Sequence, residues 1–414
     1  MIPMPRNRLL DNWRRCGVSL FVALWLFFFG VSPAFAAARG NVLSQTDPPS
    51  QGFYSEAAGY GEGFGYVIPD VPDGPQFYVM FRALGGGPVL GYPLASPFTD
   101  ATTGDMYLIL QYAVLVWHKS SGQISLANTF ELLDNAGLEQ WLLDRGIPQP
   151  ITDDGGSTFA ESRTIRLSWL TDPEIAARFL QNPLVPGNLE ISILLYGLPM
   201  SHPQKLGPFV VQRFQRAAFQ RWVEDIPGQP KPGTVTQVFA GILYKEANLI
   251  PMDAYRPVPN PFDKPSDALL AQVRSLLAEQ EVTAHLVHHL DHAIIGYAPD
   301  LLDTAALRIG NWVLIYLHPA LKDARYEAVA AVLAHLATYL EAHALSPVPL
   351  EHTRETCKQL VADGLRIEAA LWQALWGPAG TYNAKSYEEI LNGYVVESQL
   401  SPSWADFIAE IHCT

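Results

Sequence analysis

Cysteine is almost missing from this chain: three residues in 414, at positions 16, 357 and 413. That rules out a disulfide-dense scaffold and a four-cysteine zinc site. Charge is sparse as well. Asp, Glu, Lys and Arg make up 16% of the residues, and 27 basic groups face 41 acidic ones, for a formal net charge of −14. No basic surplus remains to hold nucleic acid or an anionic lipid surface. With 49% hydrophobic residues the chain is not intrinsically disordered. Long apolar runs are absent after residue 31, so nothing in the mature chain is suited to span a membrane.

What is present begins with an export signal over residues 1–36. Arg6, Arg8, Arg14 and Arg15 precede the apolar run 17–31, and Ala34-Phe35-Ala36 supplies a small-x-small cleavage site. The alternative is a retained anchor, for which the run is short. Cys16 precedes the run and so is not a lipoprotein cysteine. Cleavage leaves 378 residues, enough for two or three domains. Those 36 residues carry four Arg and one Asp, a net +3, so the secreted chain falls from −14 to −17. Cys357 and Cys413 remain; an oxidising compartment would most simply join them as one disulfide, the alternative being two free thiols.

With 33 Pro and 31 Gly, much of the chain must be short strands and turns. Residues 37–51 read as a polar lead-in, and the Gly- and aromatic-rich stretch 52–70 as a surface hairpin or loop. Phe77, Phe81 and Leu84 mark one face of a short helix that stops at Gly85-Gly86-Gly87. Leu108, Leu110, Ala113, Leu115 and Trp117 roughly alternate as strand, with a turn at Ser120-Ser121-Gly122. A similar order returns about 100 residues later. "YGLPMSH" (196–202) echoes "LGYPLAS" (90–96), and "FQRAAFQRW" (214–222) echoes "LQYAVLVW" (110–117), with Gln215 opposite Gln111 and Trp222 near Trp117. The predicted units are a first module at 37–155, a second at 156–256, a proline-rich linker at 257–267 and a C-terminal domain at 268–414. Tyr92, Trp117 and Trp222 are candidates for stacking on a ligand, although aromatics at strand positions more often belong to a core.

In the last domain, 267–297 reads as one amphipathic helix opened by Ser266 or Asp267. It carries His285, His288, His289 and His292, of which His288 and His292 have the spacing of metal ligands on one face, though a solvated patch is the plainer account. "NWVLIYLHPAL" (311–321) reads as a strand, followed by "AAVLAHLATY" (330–339) and "CKQLVADGLRIEAALW" (357–372) as helices. A zinc peptidase helix of the form His-Glu-x-x-His sets two imidazoles one turn apart and a carboxylate beside the metal-bound water. Here His335 fills the first ligand position, Leu336 that of the base and Tyr339 that of the second ligand.

Over residues 300–414 these three stretches resemble the small zincin-like domain of secreted proteins of Chloroflexi type, and the modules resemble LGFP or "GYP" repeats. The resemblance implies a strand bordering the cleft, where a substrate backbone would pair, and Asp363 at the third ligand position. It also implies a cysteine just before the second helix and another at the extreme C-terminus. The departures fall on the catalytic positions. The expected fold is α+β and multidomain, two small β-rich modules followed by a mainly helical zincin-like domain with an edge strand. The expected function is an extracytoplasmic, non-catalytic binding or structural protein without a cofactor, a pseudoenzyme whose partners are cell-wall or extracellular glycan or peptide. The alternative is a metal-dependent hydrolase with zinc in an altered site around His335, Asp363 and Tyr339.

Overall fold

The computed structural model describes residues 51–60, 63–297, 305–309, 312–345 and 353–376. The expected export signal over residues 1–36 and Cys413 lie outside the described residues. Among those described, no helix is long and apolar enough to cross a membrane. Helices and sheets are both present, as an α+β chain requires.

The described residues open with an antiparallel hairpin, β1 (Gln51–Tyr54) and β2 (Phe64–Pro69). The hairpin was expected, but not its place. Phe64, Tyr66 and Ile68 are fully buried, so β2 is a core strand and not a surface loop.

The first module follows with α1 (Phe77–Ala83), the one-turn α2 (Gly87–Leu90), and a meander of β3 (Phe98–Thr99), β4 (Met106–Ile109), β5 (Val114–His118) and β6 (Gln123–Leu126). It ends in α3 (Thr129–Asn135) and α4 (Glu139–Leu143). The second module has α5 (Phe159–Leu167), α6 (Pro173–Leu180) and α7 (Leu189–Tyr196). Its own meander is β7 (Gln204–Leu206), β8 (Phe209–Arg213), β9 (Ala218–Trp222) and β10 (Val235–Gln237), closed by α8 (Ala240–Glu246).

The echo between them is a repeat of backbone geometry. Gly91 and Gly197 take φ +76 and +77, and a Cβ on either would lie 2.5 Å from the Cβ of Gln111 or Gln215. In each module that glutamine accepts a hydrogen bond from the residue after the glycine, Tyr92 N–H at 3.0 Å and Leu198 N–H at 2.9 Å. Pro93 bridges Leu110, and Pro199 bridges Phe214. Glycine is required there because the left-handed φ and the close approach both exclude a side chain. The register makes the match finer. Residues 110–118 superpose without a gap on 214–222, so Trp222 corresponds to His118, and Trp117 to Arg221.

The modules do not form separate cores. Phe77, Phe81 and Leu115 pack in one cluster with Phe179, Phe214 and Phe219, and Phe130 and Leu133 pack with Ala218 and Leu243. At about 1.5–3 kcal/mol per fully buried large side chain, this shared apolar interior is the main term joining them.

In the C-terminal domain, α9 (Asp267–Glu279) starts where expected, its Ser266 cap accepting Leu269 N–H at 3.1 Å. The single helix over 267–297 is not found. It breaks after Glu279, Thr283 Oγ1 donates to Leu277 O, and the chain passes through α10 (Val287–Leu290) into β12 (Ala293–Tyr297). Ile294 and Ile295, β-branched and buried on both faces of a sheet, outweigh the helical periodicity before them.

The sheet order is β12, β14 (Trp312–Leu317), β13 (Ala305–Ile309), with β12 parallel and β13 antiparallel to β14. The strand expected at the edge is therefore the central one. Both of its hydrogen-bonding flanks are taken, and no peptide can be added along it. Ile315 and Leu317 face α11 (Tyr326–Leu345), which packs on α12 (Arg354–Trp376). Leu314 and Tyr316 face the other way onto Phe64 of the N-terminal hairpin, whose ring meets Tyr316 edge-on at 4.7 Å. The segment read as a linker is pinned as well: β11 (Val258–Pro259) pairs with β2, and Asn260 N–H donates to Gly63 O.

Candidate functional site

His335 lies mid-way along α11, facing α12. Val329, Val332, Leu333, Leu336 and Leu340 form the buried stripe that fixes the helix, and Leu336, 8% exposed, belongs to it. A glutamate at 336 would place an unpaired carboxylate in that apolar layer.

The imidazole lies against Gly364 of α12. A Cβ there would come within 2.4 Å of the ring, so glycine is the side-chain-free floor on which the histidine rests. One turn further along, Glu368, 7% exposed, receives His335 Nδ1 at Oε1, 2.6 Å away. A carboxylate accepts, so Nδ1 is the donor in this pair. The helix pair is thus cross-braced by a short charge-assisted bond.

The other expected members are disposed differently. Tyr339 is on the same helix one turn on, half-buried, with its ring 4.4 Å from that of His343; burial pushes its phenol up, away from a ligating phenolate. Asp363 is on α12, but its carboxylate is taken by Gln359 at 2.7 Å and Arg366 at 2.6 Å. The carboxylate that meets His335 is Glu368, not Asp363. Cys357 is half-buried on the first turn of α12, and its proposed partner Cys413 is outside the described residues. Among the described residues no group of three or more His, Cys, Asp or Glu is placed to hold a metal.

The histidine cluster is also rearranged by the break in the helix. His285 and His289, not His288 and His292, share a partner: their Nε2 atoms lie 3.8 and 3.9 Å from the Glu341 carboxylate. His288 turns back onto His285 O at 2.8 Å, and its ring lies tilted against that of His289, 3.8 Å between centroids.

Of the stacking candidates, Trp222 is 1% exposed and packs edge-on against Phe209 at 4.5 Å, which removes it from any ligand surface. Tyr92 and Trp117 are half-buried, the former with its ring over Gly87 and 5.7 Å from that of Tyr54.

Sequence reasoning missed Glu368 and Gly364. A signal existed in "DGLRIEAALW": a glycine and an acid one turn apart, on a helix otherwise apolar toward its partner. The comparisons add nothing to this geometry, since no protein-family model, no curated protein and no solved structure matches the chain.

Proposed function

We propose that the protein is an exported binding or structural protein whose C-terminal domain is non-catalytic and uses His335 as a brace between two helices. One observation carries this reading: the His335 Nδ1 bond to buried Glu368 over Gly364. Leu336 in the core stripe and Asp363 held by its own helix agree with it. Extracellular or cell-wall glycan remains the proposed ligand class for the modules, with Tyr92 and Trp117 the aromatics that keep some exposure. Cys357 and Cys413 are proposed as one disulfide, which non-reducing peptide mapping would detect.

Metal content of the purified chain decides between this and the hydrolase reading. The same bond favours that alternative in one respect, because a carboxylate on Nδ1 is how ligating histidines are commonly oriented. Zinc at one equivalent per chain, lost on His335→Ala, would overturn the non-catalytic proposal.

The brace has its own check in Gly364→Ala. A helix interior normally gains up to about 1 kcal/mol from this change. Here contact with the imidazole should reverse the sign and cost about 1–3 kcal/mol in denaturant unfolding.

A further inference from the structure

On the first module's sheet, three side chains are linked end to end, away from the His335 site. His118 Nδ1 is 3.1 Å from Asp105 Oδ2, and His118 Nε2 is 2.9 Å from Ser125 Oγ. Strand register brings them together. Met106 pairs with Trp117, which sets Asp105 opposite His118, and Ser125 pairs with Val116, which puts it diagonal to His118 on the same face. Asp105 is itself fixed, its Oδ1 accepting Lys119 N–H at 3.1 Å and its own N–H donating to Thr103 Oγ1 at 3.2 Å. The carboxylate is 19% exposed and the imidazole 40%, while Ser125 faces solvent. The chain of contacts therefore runs from a half-sheltered acid to an accessible hydroxyl.

The second module shows that the fold does not need this chain. By strand register, Asp105, His118 and Ser125 correspond to Phe209, Trp222 and Thr236. There the first two form an aromatic pair, and the same meander closes around it. A polar relay stands where an apolar contact serves the architecture equally well.

We infer that Ser125 is an activated nucleophile, with His118 its general base and Asp105 a positioning residue, acting on small carboxylic esters that have good leaving groups. The ionised Asp105 accepts Nδ1–H, so the Nε2 lone pair is directed at the serine hydroxyl, the nucleophile–base–orienter arrangement of acyl transfer. Ser125 Oγ bonds to the acyl carbon as its proton passes to His118 Nε2. Collapse breaks the bond to the leaving alcohol, which takes that proton, and acyl-Ser125 remains. Water attacks the acyl carbon with the same base, breaking the bond to Ser125 Oγ; the acid leaves and the serine regains its proton. Ester and water give acid and alcohol, and Asp105 stays ionised throughout. The half-buried Tyr107, one pair along the face, supplies an apolar wall for a short acyl group. Because the relay is at a solvent rim and not in a closed pocket, weakly basic leaving groups such as phenolates are favoured.

This inference does not depend on the His335 reading. Its test is treatment of the full secreted chain with a fluorophosphonate probe and with p-nitrophenyl acetate. We expect one covalent adduct mapping to Ser125, absent in Ser125→Ala, and retained in Ser121→Ala on the neighbouring turn. His118→Gln should slow both adduct formation and ester turnover at least about tenfold. The double variant Asp105→Phe with His118→Trp copies the second module's pair, so it should keep the wild-type melting temperature while losing the adduct. A wild-type chain that takes up no probe, or a Ser125→Ala chain labelled as fast as wild type, would overturn the proposal.

Discussion

The two modules share a backbone and differ in what they put on it. Both need a left-handed glycine, a glutamine that closes over it and a proline bridge, and at those positions their sequences agree. Elsewhere a single position can hold opposite chemistry. Ile109 of the first module corresponds to Arg213 of the second, and both are buried. Arg213 donates to Glu139 at 2.6 Å, to Phe130 O at 3.1 Å and to Pro148 O at 3.3 Å, all in the first module's segment. The same strand position thus serves one module as core and the other as a charged tie between the two. Backbone constraints repeat because φ and van der Waals contact admit few residues; side-chain chemistry diverges because a buried site only asks that its groups be partnered.

The largest effect expected from this contrast is at Arg213. Removing its guanidinium in Arg213→Ala leaves Glu139 and two carbonyls without their donor, for a loss of about 3–5 kcal/mol. At Ile109, Ile→Val should cost only about 1 kcal/mol. Denaturant unfolding of both variants would break the contrast if the two losses were alike.

Next in size are the repeated glycines. Gly91→Ala and Gly197→Ala each force a Cβ into positive φ and against a glutamine, for about 2 kcal/mol in each case. Equal losses would sharpen the equivalence of the modules, and a tolerated alanine at either site would undo it.

The smallest effect is one of pH. Asp154, which leads into the second module, is held down to about 2 by Arg166 at 2.5 Å. A carboxyl with a depressed folded-state value adds stability that is complete above its ordinary 3.8 and is lost as pH falls from there toward 2. Asp154→Asn should lower stability slightly at neutral pH, where the ionised carboxylate contributes in full, and flatten acid unfolding between about 4 and 2, where wild type loses that contribution. A wild-type acid transition in the variant would remove Asp154 from the account.

Much of the modular part was legible from local rules. The stop after Phe77–Ala83, the hairpin at Ser120-Ser121-Gly122 and the pairing of Gln111 with Gln215 all rest on turn chemistry within a few residues. Trp222 is near Trp117 in the sequence echo, and only the strand register equates it with the adjacent His118. The C-terminal domain was harder. Its helical stretch 267–297 ends early because the partner that turns Ala293–Tyr297 into a strand is a segment some 20 residues later. His335 was found through its helix, whereas Glu368 was missed because the carboxylate that reaches it depends on how α12 is rotated.

By itself the sequence determined the residues whose demands are local: where glycine must stand, where helices can cap, which stripes are apolar, and the acidic balance of the chain. The tertiary structure alone decided which carboxylate meets His335, that β14 is a central strand, and that Asp105, His118 and Ser125 form one line. Hydrogen bonds and packing across long sequence separations depend on strand register and helix rotation, and those are set only when the cores close.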